Sequence, residues 1–213
     1  MDPMYRQIAI EGPIGVGKTS VARALGERLN ARLILEESES NPFLKSFYEE
    51  PRRHAFQTQI YFMLSRYRQQ QDIRQSDLFH NITITDYLYE KDRLFARLNL
   101  SEDELVLYER LQEFLSVRVP RPDLVIYLQA DTDALMERIR SRGRRFEYRV
   151  ERKYLEVVVQ AYDRFFFEYD QCPLLIINTS EVNLSTDEAA LDGLVRQLDR
   201  IRPGHQYYTP AKA

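Results

Sequence analysis

Gly12-Pro13-Ile14-Gly15-Val16-Gly17-Lys18-Thr19 fits the pattern G-x-x-x-x-G-K-[ST] residue for residue and lies between an apolar run and an amphipathic one. Glycines let the backbone curl so that successive N–H groups point at an anion, and the first turn of the helix that follows adds its orphan donors and the positive end of its dipole. The segment from Gly12 to Ser20 therefore reads as a phosphate cradle. Lys18 would bridge the β- and γ-phosphates, and the Thr19 hydroxyl would ligate Mg²⁺. An eight-residue pattern with open positions also occurs by chance as a bare glycine turn, so its frame decides. Tyr5 to Ile10 reads as a strand, and Val21, Ala22, Leu25 and Leu29 share one helical face.

Outward from the cradle, the same strand-then-acid signature recurs. Arg32-Leu33-Ile34-Leu35 stops in Glu36, and the β-branched run Asn81 to Thr85 stops in Asp86. Carboxyl ends of parallel strands are where open α/β sheets bind ligands, which makes Glu36 a functional candidate and Asp86 a helper for Mg²⁺. Glu37 and Glu39 read as a solvated acidic loop. Leu124 to Leu128 and Leu174 to Asn178 give a fourth and a fifth apolar strand. A helix over 52–73 carries Phe56, Ile60, Met63, Leu64 and Tyr67 at core spacing. Gln59 and Arg66, two turns apart, project from nearly the same side. They are either satisfied by protein or suited to the hydrogen-bonding edge of a planar heterocycle. Tyr87 to Leu98 reads as a helix, and Ser101 to Glu104 as a capping box opening another.

Arg138, Arg140, Arg142, Arg144, Arg145 and Arg149 form the densest local charge in the chain, interrupted by Gly143. A solvated helix face is the plain alternative in a protein whose basic residues are mostly arginine. A glycine-interrupted arginine segment after the fourth strand also suits a closing lid, because planar guanidinium groups clamp phosphate oxygens. Phe146 and Tyr148 alone do not make a base-stacking platform, and the net charge is −3, so nucleic acid is not the expected partner.

The 213 residues, 44% apolar and 30% charged, suit one domain with a substantial core. Residues 1–201 are expected to form it, with 202–213, which contain Pro203, Gly204 and Pro210, as a flexible tail. A single cysteine, Cys172, excludes an intrachain disulfide. No run approaches the ~20 apolar residues of a membrane span, and no apolar leader precedes the first strand, so a cytoplasmic protein without membrane contact is expected. The three histidines lack metal-ligand spacing.

With these motifs in place, the chain resembles the deoxynucleoside kinase family over roughly residues 5 to 180. Glu36 followed by Asn41-Pro42 fits the register of the family's strand-end glutamate. The resemblance implies that Glu36 takes the proton from the sugar 5′-hydroxyl, that Tyr48 touches the 3′-hydroxyl, and that Gln59 reads the base beside Arg66 and Asp92. It implies that Arg138, Arg142 and Arg144 bind phosphate, that Glu147 holds the sugar, and that the protein is a homodimer using ATP and Mg²⁺. The implied fold is a three-layer α/β P-loop kinase with a five-stranded parallel sheet and an arginine-rich lid. Two departures stand out. The family's arginine after the third strand is replaced by Tyr87, with the lid arginines or Arg93 as possible substitutes, and Phe146 stands where a lid acid is frequent. A kinase of another small acceptor, such as a nucleoside monophosphate or a non-nucleotide alcohol, and a non-catalytic nucleotide-binding relative are the alternatives.

Overall fold

Gln7–Glu11 forms β1, buried along its whole length, and the rest of the sheet is laid out on either side of it. The computed structural model describes residues 5–73, 80–116 and 119–210. β2 (Arg32–Ile34), β3 (Thr83–Thr85), β4 (Leu124–Gln129), β5 (Leu174–Asn178) and β6 (His205–Tyr208) complete a parallel sheet in the order β2-β3-β1-β4-β5-β6. Ile8 lies opposite Ile84 of β3 on one side and Leu124 of β4 on the other. The chain leaves β1 for the β2–β3 side and returns to the β4 side, so a crevice opens at the carboxyl end of β1.

The helices are α1 (Lys18–Leu29), α2 (Leu44–Glu49), α3 (Pro51–Ile73), α4 (Asp92–Asn99), α5 (Glu102–Ser116), α6 (Thr132–Arg142), α7 (Arg152–Phe167) and α8 (Glu188–Leu198). Because side chains alternate across a strand, a sheet covered on both faces must be apolar at every position. Ile8, Ile10, Ile126 and Leu128 accordingly pack on one face with Val21, Ala22 and Leu25 of α1 and Leu194 and Leu198 of α8. Ala9, Val125, Tyr127 and Ile176 pack on the other with Val158, Tyr162 and Phe166 of α7. A smaller cluster joins Met63 of α3, Ala96 of α4 and Tyr108 of α5. Helix starts are chemically marked. The Asp131 carboxylate accepts from Ala134 N–H at 2.8 Å, Asp187 from Ala190 N–H at 3.0 Å, and Ser101 and Glu104 exchange the bonds of a capping box.

Two expectations are corrected. The sheet has six strands, because His205–Tyr208 of the expected tail pairs in parallel with β5. Tyr208 packs against the core and the His205 ring bonds Tyr169 O, contacts that outweigh the turn signals of Pro203 and Gly204; residues 211–213 lie outside the described set. The helix expected over 87–98 starts late. Residues 86–88 are held by side chains, a 3₁₀ turn covers Tyr89–Lys91, and α4 begins only at Asp92. Among the described residues no helix is long and apolar enough to cross a membrane.

Candidate active site

The loop after β1 needs its glycines for stated reasons. Gly12 has φ +156°, and a Cβ there would stand 2.4 Å from the Leu128 carbonyl oxygen; at Gly15, with φ +88°, it would stand 2.9 Å from Leu135 O. α1 starts from Gly17 without a side-chain cap, so the N–H groups of its first turn remain available to an anion. Lys18 Nζ donates to Gly12 O at 2.7 Å and Pro13 O at 3.3 Å. Burial, helped by the nearby Lys91 charge, lowers its pKa to about 8.

A cavity of about 910 Å³ runs from this loop across the strand ends. It is lined by the loop from Ile14 to Ser20, by Glu36, Tyr48, Gln59, Arg66 and Asp86, and by Arg138, Arg142, Arg144 and Glu147 of the arginine-rich segment. The two acids expected at strand ends sit side by side: Asp86 Oδ1 accepts from Glu36 N–H at 2.6 Å, and Asp86 Oδ2 accepts from the Thr19 hydroxyl at 2.5 Å. Burial raises the Asp86 pKa against those two hydrogen bonds. A hydroxyl and one carboxylate in contact form a hard oxygen donor pair of the kind that holds Mg²⁺ with waters and phosphates completing the shell. Among the described residues no group of three His, Cys, Asp or Glu is placed to hold a metal.

Glu36 lies two residues past β2. Its Oε1 accepts from Arg66 Nε at 2.8 Å and from a second guanidinium nitrogen, and lies 3.5 Å from Lys91 Nζ. Burial alone would raise this carboxyl's pKa, but Arg66, Lys91 and Lys18 outweigh it and hold the pKa well below the usual carboxylate range. Arg66 spans two acids, since its third nitrogen pairs with Asp92 Oδ1. Asp92 is fully buried, burial raises its pKa, and its Oδ2 has no partner among the described residues. Asp92 is therefore absent from the cavity wall and acts on it through Arg66. Gln59, 4% exposed, carries a buried Oε1 without a partner among the described residues, an acceptor at the cavity. Burial raises the pKa of Tyr48, beside it on the wall, so it stays a neutral phenol.

The arginines divide into three groups. Arg138 donates to Thr179 O and Oγ1 at the end of β5. Arg142 pairs with Glu147 at 2.5 Å, and Arg144 bridges Glu147 at 3.5 Å and Glu39 at 2.7 Å. Glu39, expected to be merely solvated, thus ties the loop after β2 to the lid. Arg149 faces outward to Glu49, and the Arg145 and Phe146 side chains lie outside the described set. Arg93, a suggested substitute for the missing arginine, is half exposed and paired with Glu109 on the surface.

Two residues of the site were not singled out in the sequence. Glu11, the last residue of β1, is fully buried and accepts from Gly12 N–H at 2.8 Å, Leu88 N–H at 2.7 Å and the Tyr162 hydroxyl at 2.9 Å. Lys91, 2% exposed, lies 3.4 Å from Glu11. Glu11 follows the rule that found Glu36 and Asp86, an acid closing an apolar strand, and could have been found by it.

A family model described as deoxynucleoside kinase matches residues 8–201. The chain is 38% identical over 159 residues to a deoxyguanosine kinase of Bacillus subtilis, covering 73% of this chain and 76% of that protein. It is 30% identical over 206 residues to the deoxyadenosine/deoxycytidine kinase of the same organism, covering 93% and 94%. Among solved structures, deoxyadenosine kinase from M. mycoides with bound dCTP superimposes with a TM-score of 0.79 at 23% identity, over 92% of this chain and all of that one, a likeness of fold. The chain belongs to the deoxynucleoside kinase family of phosphotransferases.

Proposed function

We propose that the protein transfers the γ-phosphoryl group of ATP to the 5′-hydroxyl of a deoxynucleoside carrying adenine, cytosine or guanine. The observation that carries this reading is one cavity shared by the Lys18 loop, the Glu36 carboxylate and the polar wall of Tyr48, Gln59 and Arg66. The names of the relatives, kinases of deoxyguanosine, deoxyadenosine and deoxycytidine, point the same way.

ATP phosphates would lie against the N–H groups of Gly15 to Ser20, with Lys18 turned from the loop carbonyls to the β- and γ-oxygens. Thr19 and Asp86 would hold Mg²⁺, which when bound neutralises phosphate charge. Arg66 and Lys91 occupy Glu36 Oε1, which leaves Oε2 for the acceptor hydroxyl. So acidic a carboxylate is a weak base, but a loose phosphoryl-transfer transition state asks for little deprotonation in advance. Glu36 fixes the 5′-oxygen in line. As the new oxygen–phosphorus bond forms and the bridging bond to ADP breaks, the hydroxyl proton passes to Oε2. Gln59 and Arg66 meet the base and Tyr48 and Glu147 the sugar, while Arg138, Arg142 and Arg144 meet the phosphates and the closing lid excludes water.

Glu36→Gln keeps the shape and removes the charge. We expect kcat to fall by about 10²–10⁴ while a nucleoside still binds by calorimetry, and an unchanged kcat would remove Glu36 from this role. Screening transfer from ATP to the three deoxynucleosides, to nucleoside monophosphates and to simple alcohols tests the acceptor class. The homodimer reading is supported by an apolar stripe of α5, with Leu107 50%, Leu111 39% and Phe114 80% exposed. Phe114→Glu should convert the sedimenting species to a monomer.

A further inference from the structure

Lys91 is an almost fully buried lysine at the inner wall of the cavity, placed where it touches two acids at or just past the ends of different strands. Its ammonium lies 3.4 Å from Glu11 and 3.5 Å from Glu36, and its side chain is 3% exposed. It reaches that place because the chain after β3 forms a 3₁₀ turn rather than a helix. The turn is fixed at its start by Leu88 N–H bonding Glu11 Oε2 and by the Thr85 hydroxyl bonding Tyr87 O. Nothing else on the 87–91 segment supplies a cation. Tyr87 is fully buried and takes a hydrogen bond from Gln70 through its hydroxyl, while Arg93 is turned to the surface. A buried ammonium needs anionic partners, and a buried carboxylate such as Glu11 needs a cation beside it. Lys91 meets both requirements at once, and Glu11 in turn holds the first N–H of the phosphate loop.

We propose that Lys91 is a positioning residue that fixes the Glu36 carboxylate relative to the phosphate loop, by linking Glu36 to Glu11 at the loop's root. The proposal rests on the kinase reading of the same cavity. Arg66 from α3 and Lys91 from the 89–91 turn both meet Glu36 Oε1, so the distance between acceptor oxygen and γ-phosphorus is set by two cations brought from separate elements. Lys91 itself makes no bond to substrate in this scheme.

The test compares Lys91→Met, Lys91→Arg and the double variant Lys91→Met/Glu11→Gln with the wild-type chain. The double variant removes a cation and an anion together and remains available if the single change leaves too much buried charge to fold. Misplacing a reacting group by about 1 Å costs on the order of 10² in rate. Per folded molecule, we expect kcat with ATP and the best acceptor to fall by about that much in Lys91→Met or in the double variant. The dissociation constant for ATP, measured without acceptor, should change less than about threefold, and Lys91→Arg should recover most of the rate. A crystal structure of the variant should show the Glu36 carboxylate displaced from its wild-type place. An unchanged kcat with an unmoved Glu36, or a loss of rate matched by an equal loss of ATP affinity, overturns the proposal. A wild-type chain that transfers phosphate to no acceptor would instead defeat the kinase reading, and the Glu36 displacement then still decides the link to Lys91.

Discussion

Two ionic clusters border the cavity, and they differ in how far their cations are withdrawn from solvent. On the proposed acceptor side, Arg66, Lys91, Glu11 and Asp92 are buried, the Glu36 side chain is 19% exposed toward the cavity, and each of the two cations touches two acids. On the side of the arginine segment, the Arg142 side chain is 40% exposed and that of Arg144 31%; both meet the buried Glu147, and Arg144 also meets the exposed Glu39. Buried pairs are costly to disrupt and little screened, whereas exposed ones are weak and exchange partners easily. The acceptor cluster is thus suited to holding a geometry, and the lid cluster to releasing its arginines when phosphate offers a better anion.

The contrast can be broken most severely at Arg66. Arg66→Met leaves Glu36 and Asp92 without their guanidinium, and we expect a loss of about 3–5 kcal/mol of stability by denaturant unfolding, with turnover lost as well. Arg142→Met should do the reverse. Stability should fall less than in Arg66→Met, since the Arg142 side chain is 40% exposed and Arg144 stays beside Glu147, while kcat falls by about 10² as a charge-stabilising donor is removed. Equal stability losses in the two variants would erase the distinction. Salt sharpens it further: between about 0.1 M and about 1 M the screening length falls from ~10 Å to ~3 Å. KM for ATP should therefore rise with salt while KM for the nucleoside stays level. The smallest effect concerns Lys18. Its pKa of about 8 in the free protein leaves it partly neutral near that pH, and phosphate must raise it. ATP binding should take up a fraction of a proton at pH 8 and weaken as pH rises further, as calorimetry in buffers of different ionisation heat would show.

The sequence was legible where one residue type admits one geometry. Gly15, Gly17 and the acids closing β2 and β3 fall in the cavity wall because a glycine loop and a strand end leave little choice of place. The lid arginines were legible as a group but not individually, since spacing on α6 does not tell that Arg138 bonds Thr179 while Arg142 pairs with Glu147. Lys91 was hidden for another reason. Read as part of a regular helix over 87–98 it would be an ordinary surface lysine, and only the bonds from Glu11 and Thr85 that shorten that helix turn it inward. β6 was missed because two turn residues precede it and its alternation, His205 and Tyr207 out with Gln206 and Tyr208 half-covered, spans only four positions.

The Tyr162 hydroxyl on Glu11 has one more consequence. Tyr162 belongs to α7, the helix directly downstream of the arginine segment, and its ring stacks with Tyr127 of the sheet, which also stacks with Phe166. The helix that follows the arginine segment is thus tied to the sheet beneath the cavity. In the proposed mechanism one stretch carries both the phosphate-binding arginines and the sugar-binding Glu147 that pairs with them, so exchanging residues 138–149 for the equivalent stretch of a relative should shift nucleotide and nucleoside preference together.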